Sequence, residues 1–445
     1  MLFNHLKYLK PIWYYNLKPS KDYCYFPTEE QLKKASIYIE KDSGYVDEIA
    51  RIHDLSWTAF QSGYIAKEPQ HGIDIWQKHN FPIADEYRFL RKNFHSAWVY
   101  YVLLLRLFTL NNPFKEILGF LKSSKVQRVD YSEHILNDTT YETFESSLIA
   151  SKPFISVIIP TLNRYEYLKD VLHDLEDQSY TNFEVIIVDQ TDNFRPEFYE
   201  GWHLDLKFWH QSEKALWRAR NEAIRTAKGD YILMSEDDIR FNTVFIENHI
   251  KAIDYFKCQV SCGVFFPMKS KIPKENSYFK FSEQFATGNS MFDKNIIKVV
   301  GSFDLQFEKQ RGGDGEYGLR CYLAGFKLIS NPKAFCFDVK APSGGLRQMG
   351  SWDSWRPKKI LGPRPVPSVL YLARKYFGTS FTTYYIIHNI LPSLIPYRFR
   401  KSKFLKALSF VVLPLVLPLV CFQVLKSWQL ASVKIKEGSI IEKND

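Results

Sequence analysis

Cysteines are scarce in this chain, and its N-terminus lacks the features of a secretory signal. Six cysteines are spread over 445 residues, and only Cys258 and Cys262 lie close together, without the second pair or the histidines that a zinc site needs. We therefore expect reduced thiols in a cytosolic compartment, most of them packed in the interior. The first fifteen residues contain no uninterrupted apolar run and no small-residue cleavage site, which argues against a secretory signal.

Acidic residues are scarce at the C-terminal end. Residues 341–445 contain 16 lysines and arginines but only 4 acids, a net charge of +12 against +10 for the whole chain. This asymmetry predicts an anionic partner surface, either nucleic acid or phospholipid headgroups. Because the cations flank an apolar run instead of interleaving with aromatic residues, we favour the lipid surface and expect no nucleic-acid partner.

Long apolar runs are also scarce, but one uncharged apolar run covers residues 407–425. Nineteen residues are just enough to span a bilayer, but Pro414, Pro418 and the flanking cations argue equally for a kinked helix that lies in the headgroup region. A buried core helix is the alternative, although two prolines four residues apart suit it poorly. Whether the segment spans the bilayer or lies in the headgroup region, it predicts membrane association.

The first 150 residues carry no recognisable catalytic constellation. At 445 residues the chain should form two or three units, and its composition, 45% hydrophobic and 16% aromatic, is typical of globular proteins. Helical periodicity appears over residues 28–41, 46–60 and 97–121. The run 100–105 is too short to span a bilayer, so we expect a core helix there.

A strand, helix, strand pattern begins after Pro153. Residues 154–159 read as a strand, apolar residues from Leu168 to Leu175 follow at helical spacing, and residues 183–188 read as a strand buried on both faces that ends at Asp189. This is a βαβ unit. Its ligand is expected at the carboxyl ends of the parallel strands.

A third strand, residues 231–234, ends at three consecutive acids, Glu236, Asp237 and Asp238. Carboxylates this close repel one another unless a cation neutralises them, and Mg²⁺ or Mn²⁺ favours such oxygen ligands. A solvated acidic turn is the alternative interpretation. The neighbouring strand ends favour a site, because Asn163 and Arg164 follow the first strand and Asp189 follows the second.

A helix over residues 215–227 brings Arg220 towards the same edge. A guanidinium beside a metal suits a phosphate-bearing ligand. The alternative is that Arg220 pairs only with a local acid on its own helix.

The order of these motifs resembles the nucleotide-sugar-binding half of family 2 glycosyltransferases, which have the GT-A fold. The matching residues are Pro160, Thr161, Asn163 and Arg164 at the first strand end, Val188 and Asp189 at the second, Ala219, Arg220 and Asn221 in the helix, and the acids 236–238. The chain departs from the family pattern at Glu236, where Asp is usual, and at Gln190, where a second Asp is common.

The resemblance implies roles for these residues. It implies that Asp189 binds the nucleobase and that Asp238, with Glu236, coordinates a divalent metal on the diphosphate. It implies donor-binding roles for Pro160, Thr161, Asn163, Arg164, Arg220 and Asp237.

The downstream half resembles the acceptor side of the same family. Residues 286–291 and 300–304 match its loop and its G-G-F-D segment, and residues 311–320 match its G-E-D-x-E-x-x-x-R signature with Gly313 in place of the first acid. In inverting members the aspartate of that signature is the general base. The resemblance therefore implies Asp314 as the base, with Glu316 next in line.

Two further features lie beyond that signature. Asp338 stands where many relatives carry a metal-binding histidine, and an aspartate there would supply a third oxygen ligand. Residues 341–347, with Trp352, Trp355 and Arg356, read as an acceptor-side loop whose rings stack on sugars, or as a surface loop with its tryptophans packed back on the domain.

The sequence thus predicts an α/β protein with three parts. Residues 1–150 form a mostly helical region of unknown role, 151–345 a Rossmann-like GT-A domain, and 346–445 an acceptor-side loop and a membrane-associating tail. We expect an inverting glycosyltransferase of bacterial cell-surface glycan synthesis, held at the cytoplasmic face of the inner membrane. It would transfer sugar from a nucleotide-diphosphate donor to a glycan or lipid-linked saccharide with the help of Mg²⁺ or Mn²⁺. The alternative, motivated by Glu236 and Gly313, is a GT-A-fold binding protein without catalysis.

Overall fold

The computed structural model describes the chain except for residues 22, 137–139, 269, 271, 347–350 and 443–445, and it describes the backbone alone at 351 and 352. The predicted sugar-stacking role of the Trp352 side chain therefore lies outside the described part. Of the six cysteines, five are buried as predicted, and Cys421 is exposed.

The N-terminal region is helical, as the sequence predicts. Its helices are α1 (Leu6–Leu9), α2 (Glu29–Lys34), α3 (Glu48–Gln61), α4 (Ile83–Asn93), α5 (Ser96–Phe108), α6 (Pro113–Lys122), α7 (Thr140–Thr143) and α8 (Ser147–Ser151). Helix α3 confirms the helix predicted over residues 46–60.

Two of the helix predictions in this region are wrong in extent. The helix predicted over residues 28–41 ends at Lys34, because Ser36 has a left-handed φ of 57°. The pattern over residues 97–121 contains two helices, because Leu110 has a φ of 58° and Pro113 starts α6. The predicted core helix is also wrong in part, since α5 buries only Val99, Val102 and Leu105.

A mixed β-sheet forms the centre of the molecule. Its strands are β1 (Ile155–Thr161), β2 (Phe183–Asp189), β3 (Asp205–His210), β4 (Tyr231–Ser235), β5 (Ile239–Arg240), β6 (Val260–Pro267), β7 (Lys280–Phe281), β8 (Asn289–Asp293) and β9 (Leu328–Asp338). The strand order is β3-β2-β1-β4-β8-β6-β9-β5, and β7 pairs with β9. Strands β3, β2, β1 and β4 are parallel neighbours, whereas β8 runs antiparallel to both β4 and β6.

Helices cover the sheet and bring the site residues to one edge. They are α9 (Tyr165–Glu176), α10 (Leu216–Thr226), α11 (Phe245–Phe256), α12 (Ile296–Val300) and α13 (Gly313–Leu323). Strands β1 and β2, joined by α9, confirm the predicted βαβ unit. Both strands are buried along their whole length, which is why their sequences are continuously apolar.

The N-terminal region shares one core with the sheet domain. Phe3 stacks on Phe89 within the helical region, and Tyr25 meets Phe281 of β7 with ring centroids 4.8 Å apart. The Tyr14 hydroxyl donates to the carbonyl oxygen of Gly315 in α13 at 2.5 Å. One hydrophobic core therefore contains residues from both sides of the boundary predicted near residue 150. That boundary stays a prediction.

Two long helices end the chain, α14 (Pro367–Ser393) and α15 (Lys403–Glu437). Gly378, with a φ of 75°, breaks α14 into two segments. Helix α15 extends beyond the predicted apolar run 407–425 and keeps Pro414 and Pro418 inside it. In the described part of the chain it is the one helix long and apolar enough to cross a membrane, and its most apolar stretch is only 17% buried.

The second half of α15 is fastened to the domain. A narrow stripe of small and polar side chains on α15 is buried, including Gln423, Ser427 and Ala431. After the helix ends, the chain returns to the sheet domain, where the Ile440 amide donates to Asp304 and the Leu305 amide donates to the Ile440 carbonyl, both at 3.0 Å. The apolar first half of α15 is therefore largely exposed, whereas the second half packs against the rest of the protein.

We predict that Lys327 links the N-terminal region to the sheet domain. Its buried ammonium donates to the carbonyl oxygens of Ala66, Lys67 and Phe256 at 2.7 to 2.8 Å, and burial lowers its pKa to about 8. Lys327→Met should lower the free energy of unfolding by about 1–3 kcal/mol, because it leaves buried carbonyl groups without a donor. Denaturant unfolding would measure this, with Lys333→Met at a half-exposed position as the control.

Candidate active site

The predicted site residues converge where β1, β2 and β4 end. Thr161, the last residue of β1, pairs in register with Asp189, the last residue of β2. The Thr161 hydroxyl donates to Asp237, just past β4, at 2.7 Å. Parallel strands end at a common edge, so residues far apart in sequence form one polar cluster there.

Arg164 joins two acids of the cluster. Its Nη1 lies 2.9 Å from Asp237 Oδ1 and 3.0 Å from Asp238 Oδ2, and its Nε donates to the carbonyl oxygen of Ser343 at 3.1 Å. Burial raises the pKa of Asp237 to about 6, and the Arg164 charge opposes that rise. The guanidinium thus supplies the positive charge that lets adjacent carboxylates lie together, and it holds the loop around residue 343 over them.

Asp189 is fully buried beneath the cluster. Its Oδ2 accepts hydrogen bonds from the hydroxyls of Tyr165 at 2.6 Å and Tyr199 at 2.8 Å, and its Oδ1 accepts from the Thr191 amide. Burial beside Asp189 raises the pKa of Tyr199. Neither tyrosine belongs to a motif that the sequence marks as functional. The structure shows Asp189 organising this loop, and its role at the nucleobase stays a prediction.

Asn163 and Pro160 shape the same loop. Asn163 has a left-handed φ of 55°, and its backbone amide donates to the Thr191 hydroxyl at 2.9 Å. The strand predicted to end at residue 159 continues for two more residues, so Pro160 and Thr161 lie in β1 and not in the predicted loop. The structure therefore places Asn163 at the strand end and Pro160 in the sheet behind it.

A cavity of about 610 Å³ opens beside the acids. Glu236, Asp314 and Asp338, predicted as metal ligands and base, all line it together with Thr287 and Gly288. A side chain on Gly288 would place its Cβ 2.6 Å from Glu236 Cδ, so the glycine lets the loop approach the acid. Three acids from three distant segments therefore face one space.

The opposite wall of the cavity comes from the N-terminal region. Lys10, Phe60 and Gln61 line it, and Lys10 Nζ lies 3.1 Å from Glu283 Oε1 across the boundary. These residues were not among the predicted site residues. No local motif marks them, because their position depends on how the N-terminal helices pack against β7.

The carboxylates suit a divalent cation only in combination with further oxygens. Both hydrogen-bonded contacts described for the Asp238 carboxylate, from Arg164 and the Ala341 amide, are on Oδ2, which leaves Oδ1 as a candidate ligand. Within the described residues no three His, Cys, Asp or Glu side chains group closely enough to hold an ion. Mg²⁺ is commonly held by one or two carboxylates plus substrate phosphates, and this donor set fits that pattern.

Asp314 and Glu316 differ sharply in their surroundings. Asp314 lies in the first turn of α13 and faces the cavity. Glu316 is fully buried, pairs with the Arg320 guanidinium at 2.9 Å and accepts from the Tyr376 hydroxyl. Only Asp314 of the two is placed to meet a substrate.

The structure explains the glycine at position 313. A Cβ there would lie 2.6 Å from Trp217 Cζ2, so the indole fills the space that an acidic side chain would need. Arg220 is buried beside it, with its guanidinium 5.1 Å from the Trp217 ring and its Nη2 donating to the Thr287 carbonyl at 3.2 Å. Arg220 therefore supports the loop at Thr287 and lines a small crevice with Asp314.

A buried polar network lies under the loop that carries Gly288. His249 Nε2 is 2.9 Å from Asn289 Oδ1, and His249 Nδ1 is 2.9 Å from Ser261 Oγ. The side-chain NH₂ group of Asn289 donates to the Ala334 carbonyl at 3.0 Å. The Asn289 Oδ1 atom is therefore the acceptor of a hydrogen bond from His249. The imidazole is thus neutral with its proton on Nε2, and it fixes the start of β8.

Comparison with known proteins agrees with this geometry. Residues 156–303 match the family described as Glycosyl transferase family 2. The chain is 29% identical over 120 residues to the putative teichuronic acid biosynthesis glycosyltransferase TuaG of Bacillus subtilis, covering 26% of this chain and 46% of the relative. It is 24% identical over 208 residues to a dolichyl N-acetyl-alpha-D-glucosaminyl phosphate 3-beta-D-2,3-diacetamido-2,3-dideoxy-beta-D-glucuronosyltransferase of Methanococcus voltae, covering 40% and 64%. The chain thus spans about half to two thirds of the length of these relatives.

Two solved structures are similar at low identity. Residues 1–349 of Staphylococcus aureus TarS with UDP-GlcNAc align at 15% identity and a TM-score of 0.43, over 65% of this chain and 97% of that one. The mannosyltransferase PcManGT of Pyrobaculum calidifontis, in complex with GDP-Man and Mn²⁺, aligns at 17% identity and a TM-score of 0.40, over 66% and 91%.

The parallel strands β3, β2, β1 and β4, with an acidic segment at the end of β4, form a GT-A-like sheet. The segment 156–303, which carries this edge of the sheet, is similar to glycosyltransferase family 2.

We predict that His249 makes the stability of the domain depend on pH. Burial lowers the pKa of His249 to about 4 from 6.5, so folding favours the neutral ring, and this stabilisation is present above pH 6.5 and is lost as the pH falls towards 4. The wild type should lose roughly 2–3 kcal/mol more than His249→Gln across that range. Denaturant unfolding at several pH values measures both slopes, and equal slopes would contradict the assignment.

Proposed function

We propose that this chain is an inverting glycosyltransferase that moves a sugar from a nucleotide-diphosphate donor to a glycan or a lipid-linked saccharide. The observation that carries the proposal is the shared cavity of Glu236, Asp338 and Asp314, next to the strand ends that hold Asp237 and Asp238. A donor diphosphate needs positive charge and hard ligands, and an acceptor hydroxyl needs a base. Both requirements are met around one space.

The donor is proposed to lie over the ends of β1, β2 and β4. Arg164 and the loop at Asn163 would form one wall of the donor site. Asp189, hydrogen-bonded to Tyr165 and Tyr199, would fix the loop on the side of the nucleobase. Asp238, with Glu236 or Asp338, would hold Mg²⁺ or Mn²⁺ together with the diphosphate oxygens. When bound, such an ion neutralises charge that develops on the leaving diphosphate.

Asp314 is proposed as the general base. It would accept the proton of an acceptor hydroxyl as that oxygen attacks the sugar from the face opposite the diphosphate. Glu316 does not compete for this role, because its carboxylate is buried against Arg320. The packing of Trp217 accounts for Gly313 as a structural substitution, which weakens the case for a binding protein without catalysis.

The acceptor is proposed to enter along the wall formed by the N-terminal region. Lys10 and Glu283 sit at the mouth of the cavity, with Gln61 and Lys280 beside them. These charged and amide groups suit the hydroxyls of a saccharide. This position gives the first 150 residues a role in acceptor choice.

A bacterial cell-surface polysaccharide is the proposed product. The name of the Bacillus subtilis relative, which refers to teichuronic acid biosynthesis, supports this class. The apolar first half of α15 would keep the enzyme at the cytoplasmic face of the membrane, where lipid-linked acceptors are found.

Metal dependence follows from the acidic cluster. Asp238→Asn should lower donor-dependent nucleotide release roughly 100-fold or more, because it removes a charged oxygen ligand while keeping the side-chain shape. The measurement is nucleotide release from a panel of UDP- and GDP-sugars with Mn²⁺ present, with and without excess chelator. Asp205→Asn on the exposed part of β3 is the matched control. Full turnover in chelator would refute the proposal.

The base assignment is tested by comparing two acids of α13. Asp314→Asn should lower turnover on the order of 100-fold while its Tm and its donor affinity stay near wild type. Glu316→Gln should instead lower Tm, because it breaks a buried ion pair. Both variants are measured by thermal shift with and without donor and by transfer to a saccharide acceptor. Normal turnover of Asp314→Asn would place the base elsewhere.

A further inference from the structure

Helices α5 and α6 form a hairpin with an exposed apolar face. Eight of its large apolar side chains are between 44% and 94% exposed. They are Tyr100, Leu104, Phe108, Leu110, Phe114, Ile117, Leu118 and Leu121. We call this set the hairpin face. A contiguous surface of this kind in a soluble protein marks an interaction site.

The hairpin is rigidly supported from behind. Val99, Val102 and Leu105 bury the inner side of α5. Between the two helices the Arg106 guanidinium pairs with the fully buried Glu116, which also accepts from the Tyr87 hydroxyl at 2.8 Å. The hairpin face therefore projects from a fixed base and is not a loose segment.

The exposed charges within residues 96–129, which include the hairpin, are of one sign. Between residues 96 and 129 the single acid is Glu116, which is buried. The exposed charged side chains of that stretch are Lys115, Lys122, Lys125 and Arg128. The hairpin thus combines exposed apolar groups with exposed cations, the pattern of an element that lies in an anionic lipid surface.

A basic cleft lies at the base of the hairpin. It has a volume of about 330 Å³ and is lined by Arg88, Lys92, Lys122 and Lys125. One acid, Asp42, also lines it and pairs with Arg88 and Lys92. Lys92 also pairs with the buried Asp54. Four cations against these two acids leave the cleft positive, which suits a lipid phosphate.

The hairpin is continuous with the C-terminal helices. The Trp98 ring of α5 stacks on His388 of α14 with centroids 4.3 Å apart, and Tyr8 meets Tyr384 of α14 at 4.9 Å. Helix α14 also carries α15, since Arg374 donates to the Trp428 carbonyl at 2.9 Å. The hairpin and α15 therefore both pack against α14.

We propose that the hairpin face is a second membrane contact, which inserts its apolar side chains at the headgroup boundary while the basic cleft takes an anionic headgroup. A second copy of the chain is a poorer occupant, because two such faces would bring like charges together. The inference extends the membrane attachment proposed for α15. It assigns part of the N-terminal region to orienting the cavity relative to the bilayer.

The test is binding of the full chain to phosphatidylcholine vesicles with and without phosphatidylglycerol. The triple variant Phe108→Ser, Leu110→Ser, Phe114→Ser should lower the partition coefficient roughly 10-fold or more, because three apolar side chains no longer leave water. The matched control is Tyr38→Ser with Val299→Ser, which removes side chains that are 84% and 64% exposed elsewhere. Equal partitioning of the triple variant and the wild type would overturn the proposal.

A charge variant tests the cleft independently. Lys122→Gln with Lys125→Gln should weaken binding severalfold to vesicles that contain phosphatidylglycerol and leave binding to phosphatidylcholine vesicles unchanged. Lys228→Gln with Lys298→Gln, at exposed positions away from the hairpin, is the control. An equal loss in both variants would show a general charge effect and would reject the cleft.

A third variant separates the hairpin from α15. Phe404→Ser with Phe410→Ser and Leu415→Ser removes exposed apolar groups of α15 and should leave measurable binding to anionic vesicles through the hairpin. Complete loss of binding in this variant would overturn the proposal, and so would a dimer that the hairpin variant dissociates. Donor hydrolysis in detergent, measured on every variant, distinguishes failure of membrane binding from failure of the proposed activity.

Discussion

The close approach of Asp237 and Asp238 at the end of β4 is the constraint on which the site depends. Two adjacent carboxylates near the interior are unfavourable unless a cation and hydrogen-bond donors accompany them. Arg164 and Thr161, both from the end of β1, supply these. Arg164 and Thr161 reach these acids because β1 and β4 are parallel neighbours in the sheet. The strand order is therefore needed to stabilise the charges of the site.

The N-terminal region acts as a structural part of the same site. Its aromatic residues share a core with β7 and α13, and the Lys327 ammonium ties it to the end of α11. This packing brings Lys10 and Gln61 to the cavity. This side of the cavity can therefore vary with the N-terminal helices while the ends of β1, β2 and β4 stay unchanged.

The C-terminal helices join the sheet domain without a flexible linker. The second half of α15 packs on α14, and the segment that follows returns to Asp304, just ahead of the loop that leads to α13 and Asp314. Removing the tail would therefore strip hydrogen bonds from the domain itself, so substitutions on the exposed face of α15 are a cleaner probe than truncation. Such anchoring would fix the height and tilt of the cavity above a bilayer.

The sequence by itself determined the βαβ unit, the acidic strand end and the candidate base Asp314. These are local patterns of apolar periodicity or short motifs, so neighbouring residues carry them. Only the tertiary structure decided that Trp217 fills the space beside Gly313, that Glu316 is buried against Arg320, that Tyr199 braces Asp189, and that α5 and α6 expose an apolar face. Each of these depends on which segments pack together in space, and a pattern confined to one short segment does not contain that information.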